Sequence, residues 1–346
     1  MTQNMNNASA STLSGELTPA RPRRTARYWA LRALALGLLV GSCGYFAYHL
    51  WHRIGQLPPI EWGWSATFVL VLSALGCLTT VPIVALMWRW LLRDQGVDLP
   101  YRQSLQIIAV SQMGKYLPGN VGHFAGRVLL GSQAGVPAGK TIATMAMETF
   151  WVLGISALFA VLALLFYVND FHEGLIDTSN PGYLAAAAAV MLLSPFIGVR
   201  VVNRVLPGLS RKLGRGELLA EPRFFTALGV AGLITVSFLI LGSVAELLAT
   251  HLFGHPEIDW IEMVLLYTVA WTAGFLVPGS PGGLGVREAV MLKLMGPAFG
   301  METALGVALV MRLASMGADA LAFAVGLYFK PRLPDFEPDD AAGPST

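Results

Sequence analysis

The sequence predicts an all-α integral membrane protein built as an inverted repeat of two halves, and three observations support this fold class. The 346-residue chain is 55% hydrophobic and only 13% charged, whereas about a quarter of the residues in a soluble domain are charged. Its apolar residues form runs long enough to cross a bilayer. Two Pro/Gly clusters interrupt such runs at corresponding places in the two halves. Each half is therefore expected to contain three transmembrane helices and one Pro/Gly-broken re-entrant hairpin.

The two ends of the chain are predicted to be polar tails on the cytoplasmic side. Residues 1–27 are rich in Asn, Ser, Thr and Arg, a composition typical of disorder. The first apolar run comes too late and is too long for a cleavable signal peptide. We therefore expect a transmembrane domain over residues 28–330, with halves of about 28–176 and 177–330, and a short tail over 331–346.

Six apolar runs have about the 20 residues that the hydrocarbon core of a bilayer requires. Only four charged residues fall inside them, namely Glu148, Glu246, Arg312 and Asp319. The predicted spans are Ala33–Leu50, Trp64–Trp88, Thr141–Asn169, Gly182–Val199, Phe224–Pro256 and Thr303–Phe329.

Two further apolar stretches, Ser104–Leu130 and Met263–Met295, are each interrupted by a cluster of proline and glycine. Proline removes a backbone donor and glycine frees the backbone, so an unbroken helix through either cluster is not expected. Each arm is short for a span, which favours a re-entrant hairpin over two complete spans joined by a surface loop. The predicted hinge residues are Pro118, Gly119 and Gly122 in the first break and Pro278, Gly279, Gly282 and Gly283 in the second.

The distribution of positive charge predicts the orientation of the spans. With a cytoplasmic N-terminus, six crossings and two returning hairpins, all but four of the 23 Lys and Arg residues lie at the cytoplasmic side. The exceptions are Arg53, Arg287, Lys293 and Arg312. Cytoplasmic loops of membrane proteins are enriched in Lys and Arg, so both termini are predicted to be cytoplasmic.

The two broken stretches match each other at one constant offset of 160 residues. Both contain the pattern P-G-x-x-G-x-x-x-x-R followed ten residues later by P-A, and the neighbouring spans keep the same offset. Because each half contains an odd number of spans, the second half is expected to enter the membrane upside down. Inverted repeats with paired broken helices are typical of transporters, whose substrate site lies near the membrane midplane.

The repeated arginines, Arg127 and Arg287, are the first candidates for substrate binding. Each follows the last glycine of the shared motif by five residues, and two guanidinium groups could hold a phosphate through bidentate contacts. Asn120 and Ser280 lie within the breaks, where helix ends and unpaired backbone donors can also hold an anion. The alternative is that both arginines are interfacial anchors whose charged ends reach the headgroups.

Glu148 and Arg312 lie in equivalent helices of the two halves, well inside apolar runs. A charge at this depth is costly, so both are expected to face the interior and to be paired. The simplest arrangement is a Glu148–Arg312 pair, and Asp319, seven residues after Arg312, is an alternative partner. Asp319 and the lone acid Glu246 could couple transport to protons, although structural ion pairs explain them equally well.

Several polar residues near the breaks have simpler interpretations. Lys115 and Tyr116 are predicted to be anchors at the membrane interface. Glu288, beside Arg287, is predicted to form a local ion pair at the outer surface. His123 could titrate, although a capping or hydrogen-bonding role is favoured.

Motifs for soluble chemistry are missing from the sequence. It contains no Walker A pattern, no HExxH, no GxSxG in a hydrolase context and no nucleotide fingerprint. We therefore expect no enzyme activity, no ATP-driven pumping, no cofactor, no metal site and no nucleic-acid partner. An intramembrane lipid-modifying enzyme is disfavoured, because no set of nucleophile and base stands out.

The stretch Tyr116–Gly122 with Arg127, then Glu148, and later Pro278–Glu288 with Arg312 resemble the flippase-like transmembrane domain of lysylphosphatidylglycerol synthases. The most specific part of the resemblance is the P-G-G-x-G-x-R-E stretch around the second break. The resemblance extends over nearly the whole chain, roughly from residue 30 to residue 330.

The resemblance implies a lipid flippase-like transporter in the bacterial inner membrane, which moves a phospholipid or lipid-linked anion between leaflets. Full-length relatives also carry a soluble aminoacyl-transfer domain, and with only Pro331–Thr346 after the last span this chain is expected to be a stand-alone member without it. Thr149 departs from the family, which commonly has Arg after the Glu148 position. The alternative function is a membrane scaffold for a separate synthase or glycosyltransferase.

Overall fold

The computed structural model describes residues 60, 62–116, 121–167, 181–255, 258–277 and 281–328. Within these ranges all regular secondary structure is helical. The helices are α1 (Trp64–Leu78), α2 (Thr80–Asp94), α3 (Tyr101–Gln112), α4 (Gly122–Gln133), α5 (Ala138–Phe166), α6 (Pro181–Val205), α7 (Pro207–Leu213), α8 (Phe224–Leu247), α9 (Trp260–Leu276), α10 (Val286–Phe299) and α11 (Met301–Tyr328).

Five stretches of helix are long and apolar enough to cross a membrane, and they confirm five of the six predicted spans. The sixth, Ala33–Leu50, lies outside the described residues. Helices α1 and α2 follow each other at Thr79 and form one such stretch of 31 residues, and a π-helical turn, Leu248–Leu252, extends α8. The five stretches are Trp64–Asp94, Ala138–Phe166, Ala188–Val205, Phe224–Leu252 and Met301–Tyr328.

Apolar side chains cover both the inside and the outside of the helix bundle. Trp88, Trp151 and Tyr267 are almost completely buried between helices, whereas Phe68 and Phe225 are exposed on the outer faces of α1 and α8. A bilayer, unlike water, accepts such an outer surface, so burial of apolar area is not what holds the helices together there. Close packing holds them instead, as between Gly242 of α8 and Val264 of α9, where an added Cβ would meet Val264 at 2.5 Å.

The two predicted breaks interrupt helix structure, as expected from their glycine and proline residues. The first follows a 3₁₀ turn, Met113–Tyr116, and separates α3 from α4, whereas the second separates α9 from α10 and contains the turn Pro281–Gly283. In both cases the two arms pack against each other, and the two turns are also in contact. Gly282 has φ +56°, a left-handed conformation that favours glycine.

Helix α11 is the element that the two broken regions share. It packs against α3 of the first region and against α10 of the second, and it also contacts α1. Helix α5 packs against α4 and α9, so the two long helices close the space around the breaks from either side. This arrangement leaves a cavity between the breaks.

Candidate functional site

A cavity of about 210 Å³ lies where the two broken regions meet. Its wall is formed by the junction of α1 and α2, both broken regions, α5, α8 and α11. Among the described residues, the charged side chains that line it are Lys115, Arg127, Glu148, Arg287, Arg312 and Asp319. Five of these six residues were predicted as substrate-binding or coupling residues, and they come from both halves of the sequence.

Arg127, on α4, is held by an ion pair and by an aromatic ring. It is only 4% exposed, and its Nη1 donates a hydrogen bond of 2.7 Å to Glu148 Oε2 on α5. Its guanidinium lies 5.5 Å from the ring centroid of Trp88, whose Nε1 is fixed by a 3.1 Å hydrogen bond to Thr144 Oγ1. The charge of Arg127 is therefore largely compensated before any ligand binds.

Arg287, in the first turn of α10, has a different environment. Its guanidinium lies 5.8 Å from the ring centroid of Trp271, but within the described residues it has no ion pair and its buried Nε has no hydrogen-bond acceptor. Trp271 is in turn stacked on Phe275 at 5.4 Å and meets the edge of Phe238 at 5.4 Å. Arg287 thus presents a half-buried positive charge on a rigid aromatic support.

Arg312, on α11, holds the turn of the second break. Its Nη1 donates a 2.6 Å hydrogen bond to the carbonyl oxygen of Gly282 and lies 3.8 Å from Glu288 Oε1. Glu288 in turn accepts a 2.7 Å hydrogen bond from the backbone N–H of Gly285 and so caps the start of α10. A charged residue of one helix therefore fixes the non-helical backbone of another region.

Asp319 holds the 3₁₀ turn that precedes the first break in a similar way. Its Oδ2 lies 2.6 Å from Lys115 Nζ and accepts a 2.5 Å hydrogen bond from the hydroxyl of Tyr116. Asp319 is 3% exposed, so both contacts are shielded from water and correspondingly strong. Helix α11 consequently contacts both breaks through two charged side chains.

The predicted pairing of these charges was wrong. Glu148 pairs with Arg127 of the neighbouring α4 and not with Arg312, and Asp319 binds Lys115 and not Arg312. The physical reason is proximity, because α4 and α5 are consecutive helices that pack against each other.

Two interpretations of single residues were also wrong. Lys115 and Tyr116 are bound to Asp319 beside the cavity and are not free interface anchors. Glu288 is buried and caps α10, where it also lies near Arg312, instead of pairing with Arg287 at a surface. All three residues thus have a polar partner inside the protein, as an apolar surrounding favours, although Glu288 Oε1 itself has no hydrogen bond among the described residues.

The other predicted residues lie away from the cavity, in the turns of the breaks, or outside the described residues. Glu246 accepts a 2.9 Å hydrogen bond from Thr250 one turn later in its own helix and does not line the cavity. Gly122 begins α4, and Gly282 and Gly283 lie in the second turn with φ +56° and +77°. The predictions for Asn120, Ser280, Pro118, Gly119, Pro278 and Gly279 concern residues outside those described.

Trp271, His123 and Gln112 are among the lining residues that the sequence did not identify as site residues. Trp271 lies in an apolar stretch, where a tryptophan is expected to be an ordinary core residue. His123 was noticed, but its position in the cavity wall, with its ring 3.9 Å from that of Phe124, was not expected. Its Nδ1 is buried and has no partner among the described residues. Gln112 ends α3 and gave no signal of its own.

Together these features define a multi-spanning helical membrane protein in which two broken regions enclose a charged cavity. The family model described as "Lysylphosphatidylglycerol synthase TM region" matches residues 28–322 of the chain. The protein belongs to this family, which confirms the resemblance found from its motifs. No curated protein and no solved structure gives a significant match.

Proposed function

We propose that the protein is a lipid flippase-like transporter that moves a phospholipid or lipid-linked anion between membrane leaflets. The observation that carries this proposal is the state of Arg287, a half-buried cation in the cavity wall without an acidic partner among the described residues. An uncompensated charge within a membrane domain is costly and marks a substrate pathway. A bound anionic headgroup would supply the missing negative charge.

The composition of the cavity supports an anionic ligand rather than a cationic one. Both acids that line it, Glu148 and Asp319, already accept contacts from Arg127, Lys115 and Tyr116. An incoming cation would have to displace these partners, whereas an incoming anion can bind Arg287 directly. Charge-assisted hydrogen bonds to phosphate are about twice as strong as neutral ones.

We further propose that the two halves form an inverted repeat with re-entrant hairpins. The packing pattern supports this, because the 160-residue offset carries α3, α4 and α5 onto α9, α10 and α11. The corresponding pairs pack alike: α4 with α5 and α10 with α11, and likewise α9 with α5 and α3 with α11. In inverted-repeat transporters such halves move against each other, which exposes the site to each leaflet in turn.

The proposed location is the bacterial inner membrane with both termini in the cytoplasm. The positive-inside distribution of Lys and Arg supports this orientation. A reporter that is active only in the cytoplasm, fused after Thr346, is expected to be active, and a reporter active only outside is expected to be inactive. The reverse result would overturn the orientation and leave the transport proposal intact.

Reconstitution tests the transport proposal directly. In liposomes that contain the purified protein, a fluorescent anionic phospholipid in the inner leaflet should become accessible to a membrane-impermeant quencher faster than in empty liposomes. Arg287→Ala should slow this exchange about tenfold or more, since it removes a charge-assisted contact to the headgroup.

Arg211→Ala is the matched control, because it removes the same side chain from an exposed position on α7. Its exchange rate should equal that of the wild type. Equal exchange in liposomes with and without the protein would overturn transport. It would favour the alternative role as a scaffold for a synthase or glycosyltransferase, a role that requires no lipid movement.

A further inference from the structure

The hydroxyl groups of the cavity wall differ in whether they have an acceptor. Among the described residues, six side chains of the wall carry a hydroxyl. Tyr116 donates to Asp319, and the hydroxyl of Tyr267, on α9, has no acceptor in the described part of the chain. The other four donate to a backbone carbonyl of their own helix or of the helix just before it, at 2.8 or 2.9 Å, and are Thr80, Thr149, Ser237 and Ser315.

Tyr267 is also the most buried of these six residues. It is only 2% exposed, and its ring belongs to the apolar cluster that contains Met263 and Met291. Gln112 and Trp271 likewise bring neutral donors to the wall, but both side chains are only half-buried, so water can satisfy them more easily. Buried polar groups nearly always have a partner, and a buried tyrosine hydroxyl usually finds one. The state of Tyr267 therefore points to a ligand.

Tyr267 lies on the face of α9 that supports Arg287. Tyr267, Trp271 and Gly274 are spaced by four and three residues, so they share one face of the helix. The Arg287 guanidinium lies 5.8 Å from the ring centroid of Trp271, and a Cβ added to Gly274 would meet the Arg287 Cβ at 3.1 Å. Among the charged side chains around the Tyr267 hydroxyl, Arg287 has the largest electrostatic effect on it. This face thus brings a cation and an unpaired hydroxyl to the same part of the cavity.

A phosphate group can satisfy both residues at once. The guanidinium has donors only, and the tyrosine hydroxyl has one hydrogen to donate. Ionised phosphate oxygens accept such hydrogen bonds, which are stronger than those between neutral groups. A cationic ligand would instead be repelled by Arg287.

We infer that Tyr267 is a ligand-binding residue, whose hydroxyl donates a hydrogen bond to the same phosphate group that Arg287 binds. The inference rests on the proposed function, because it adds a residue to the same anion site. Every ester class of phosphate offers the oxygen that this contact requires, so the assignment concerns the phosphate and not the headgroup beyond it.

The variant Tyr267→Phe tests this inference, because it removes the hydroxyl and keeps the ring. Binding of dioctanoyl phosphatidic acid to the detergent-purified protein is measured by calorimetry. The affinity should fall about tenfold, since a hydrogen bond to a charged group is lost. Tyr183→Phe is the matched control, because it removes the same hydroxyl from an exposed position on α6, and its affinity should equal that of the wild type.

Two outcomes of this measurement separate the inference from the proposed function. Equal affinities of the wild type and Tyr267→Phe would overturn the inference and leave anionic lipid transport standing. Absence of binding to the wild type would contradict the proposed function as well.

Thermal unfolding distinguishes a ligand contact from a structural role of the hydroxyl. Without lipid, Tyr267→Phe should unfold at the wild-type temperature or slightly above it, because no hydrogen bond within the described residues is lost. At one fixed lipid concentration, the rise in its unfolding temperature should be smaller than in the wild type. A lower unfolding temperature without lipid would show that the hydroxyl stabilises the fold and would overturn the inference.

A double variant tests whether the two residues bind one phosphate. Arg287→Lys keeps the charge and weakens the contact, so the remaining affinity can be measured. The loss caused by Tyr267→Phe should differ between the Arg287→Lys and wild-type backgrounds, because contacts to one group are coupled. Independent losses would overturn the assignment to a shared phosphate.

Inorganic phosphate distinguishes a lipid from a soluble ligand at this site. It should bind about tenfold more weakly than dioctanoyl phosphatidic acid, since Phe238, Trp271 and Phe275 give the wall an aromatic surface that suits a hydrocarbon chain. Equal or tighter binding of inorganic phosphate would assign the site to a soluble anion and overturn lipid transport. The effect of Tyr267→Phe on phosphate affinity would then still decide the role of the hydroxyl.

Discussion

The two broken regions place an arginine at the same position of a shared motif, yet the two arginines are in different electrostatic states. Arg127 is almost completely buried and bound to Glu148, whereas Arg287 is half-buried and supported only by Trp271 among the described residues. The 160-residue offset places Ala308 where an acid equivalent to Glu148 would stand. One half thus pairs its arginine with an acid, whereas the arginine of the other half has no acidic partner among the described residues and is the one that the proposed function assigns to the ligand.

The two halves therefore share the position of the arginine but not its contacts. Both arginines lie beside a tryptophan, at 5.5 Å from Trp88 and 5.8 Å from Trp271, but the two tryptophans are not equivalent in the repeat. The aromatic support therefore comes from different elements in the two halves, α2 and α9. Under the proposed function, the acid at Glu148 is what distinguishes Arg127 from the ligand-binding Arg287.

The largest expected effect is a difference in protein stability between variants of the two arginines. Arg127→Ala should lower the free energy of unfolding by about 3 kcal/mol, because it leaves the Glu148 carboxylate largely buried without its partner. Arg287→Ala should change it by less than about 1 kcal/mol, since no ion pair is lost. Both changes are measured by unfolding the detergent-solubilised variants with heat or with denaturant.

The double variant Arg127→Ala/Glu148→Ala provides the control for that prediction. Part of the lost stability should return, because the unpaired carboxylate is removed with its partner. Equal destabilisation by Arg127→Ala and Arg287→Ala would contradict the assignment of different roles to the two arginines.

The second largest effect is expected from a substitution that gives the second half an acid at the position equivalent to Glu148. Ala308→Glu places an acid where the repeat predicts a partner for Arg287, and anionic lipid affinity should then fall on the order of tenfold, as expected for loss of one charge-assisted contact. Ala308→Gln is the matched control, because it introduces the same bulk into this buried position without charge. If both variants bind the lipid equally well, Arg287 is not the anion-binding group.

The smallest expected effect is a difference in lipid affinity between variants of the two tryptophans. Trp271→Leu should weaken lipid binding about fivefold, since a partly desolvated cation–π contact contributes about 1 kcal/mol. Trp88→Leu should leave lipid affinity nearly unchanged, because Arg127 remains bound to Glu148. Calorimetry with dioctanoyl phosphatidic acid measures both affinities. An equal loss of affinity in the two variants would speak against a special role of Trp271.

The sequence was sufficient to predict the helices and the breaks, because these depend on local properties. Runs of apolar residues set the spans, and the chain at Gly282 adopts a left-handed conformation that glycine favours. The candidate residues Arg127, Arg287, Glu148, Arg312 and Asp319 all line one cavity, while their roles stay predictions. Charged residues within apolar runs are rare, so they were conspicuous.

The pairing within this group could not be predicted from the sequence. Helices such as α5 and α8 are apolar on nearly all sides, so their periodicity does not indicate which face meets which neighbour. Symmetry between the halves suggested a pair between Glu148 and Arg312, but the adjacent α4 supplies the partner instead. The capping role of Glu288 was accessible, because a glutamate three residues after the start of a helix is a known start signal.

The contacts of α11 have a consequence for the way the two halves can move. Arg312 and Asp319 are separated by two helical turns, about 10 Å along the axis, and they hold the turn of one break and the end of the helix before the other. A helix is stiff over this distance, so the two contacts are held at a fixed separation. We therefore expect a displacement of the backbone at one break to be transmitted along α11 to the other break.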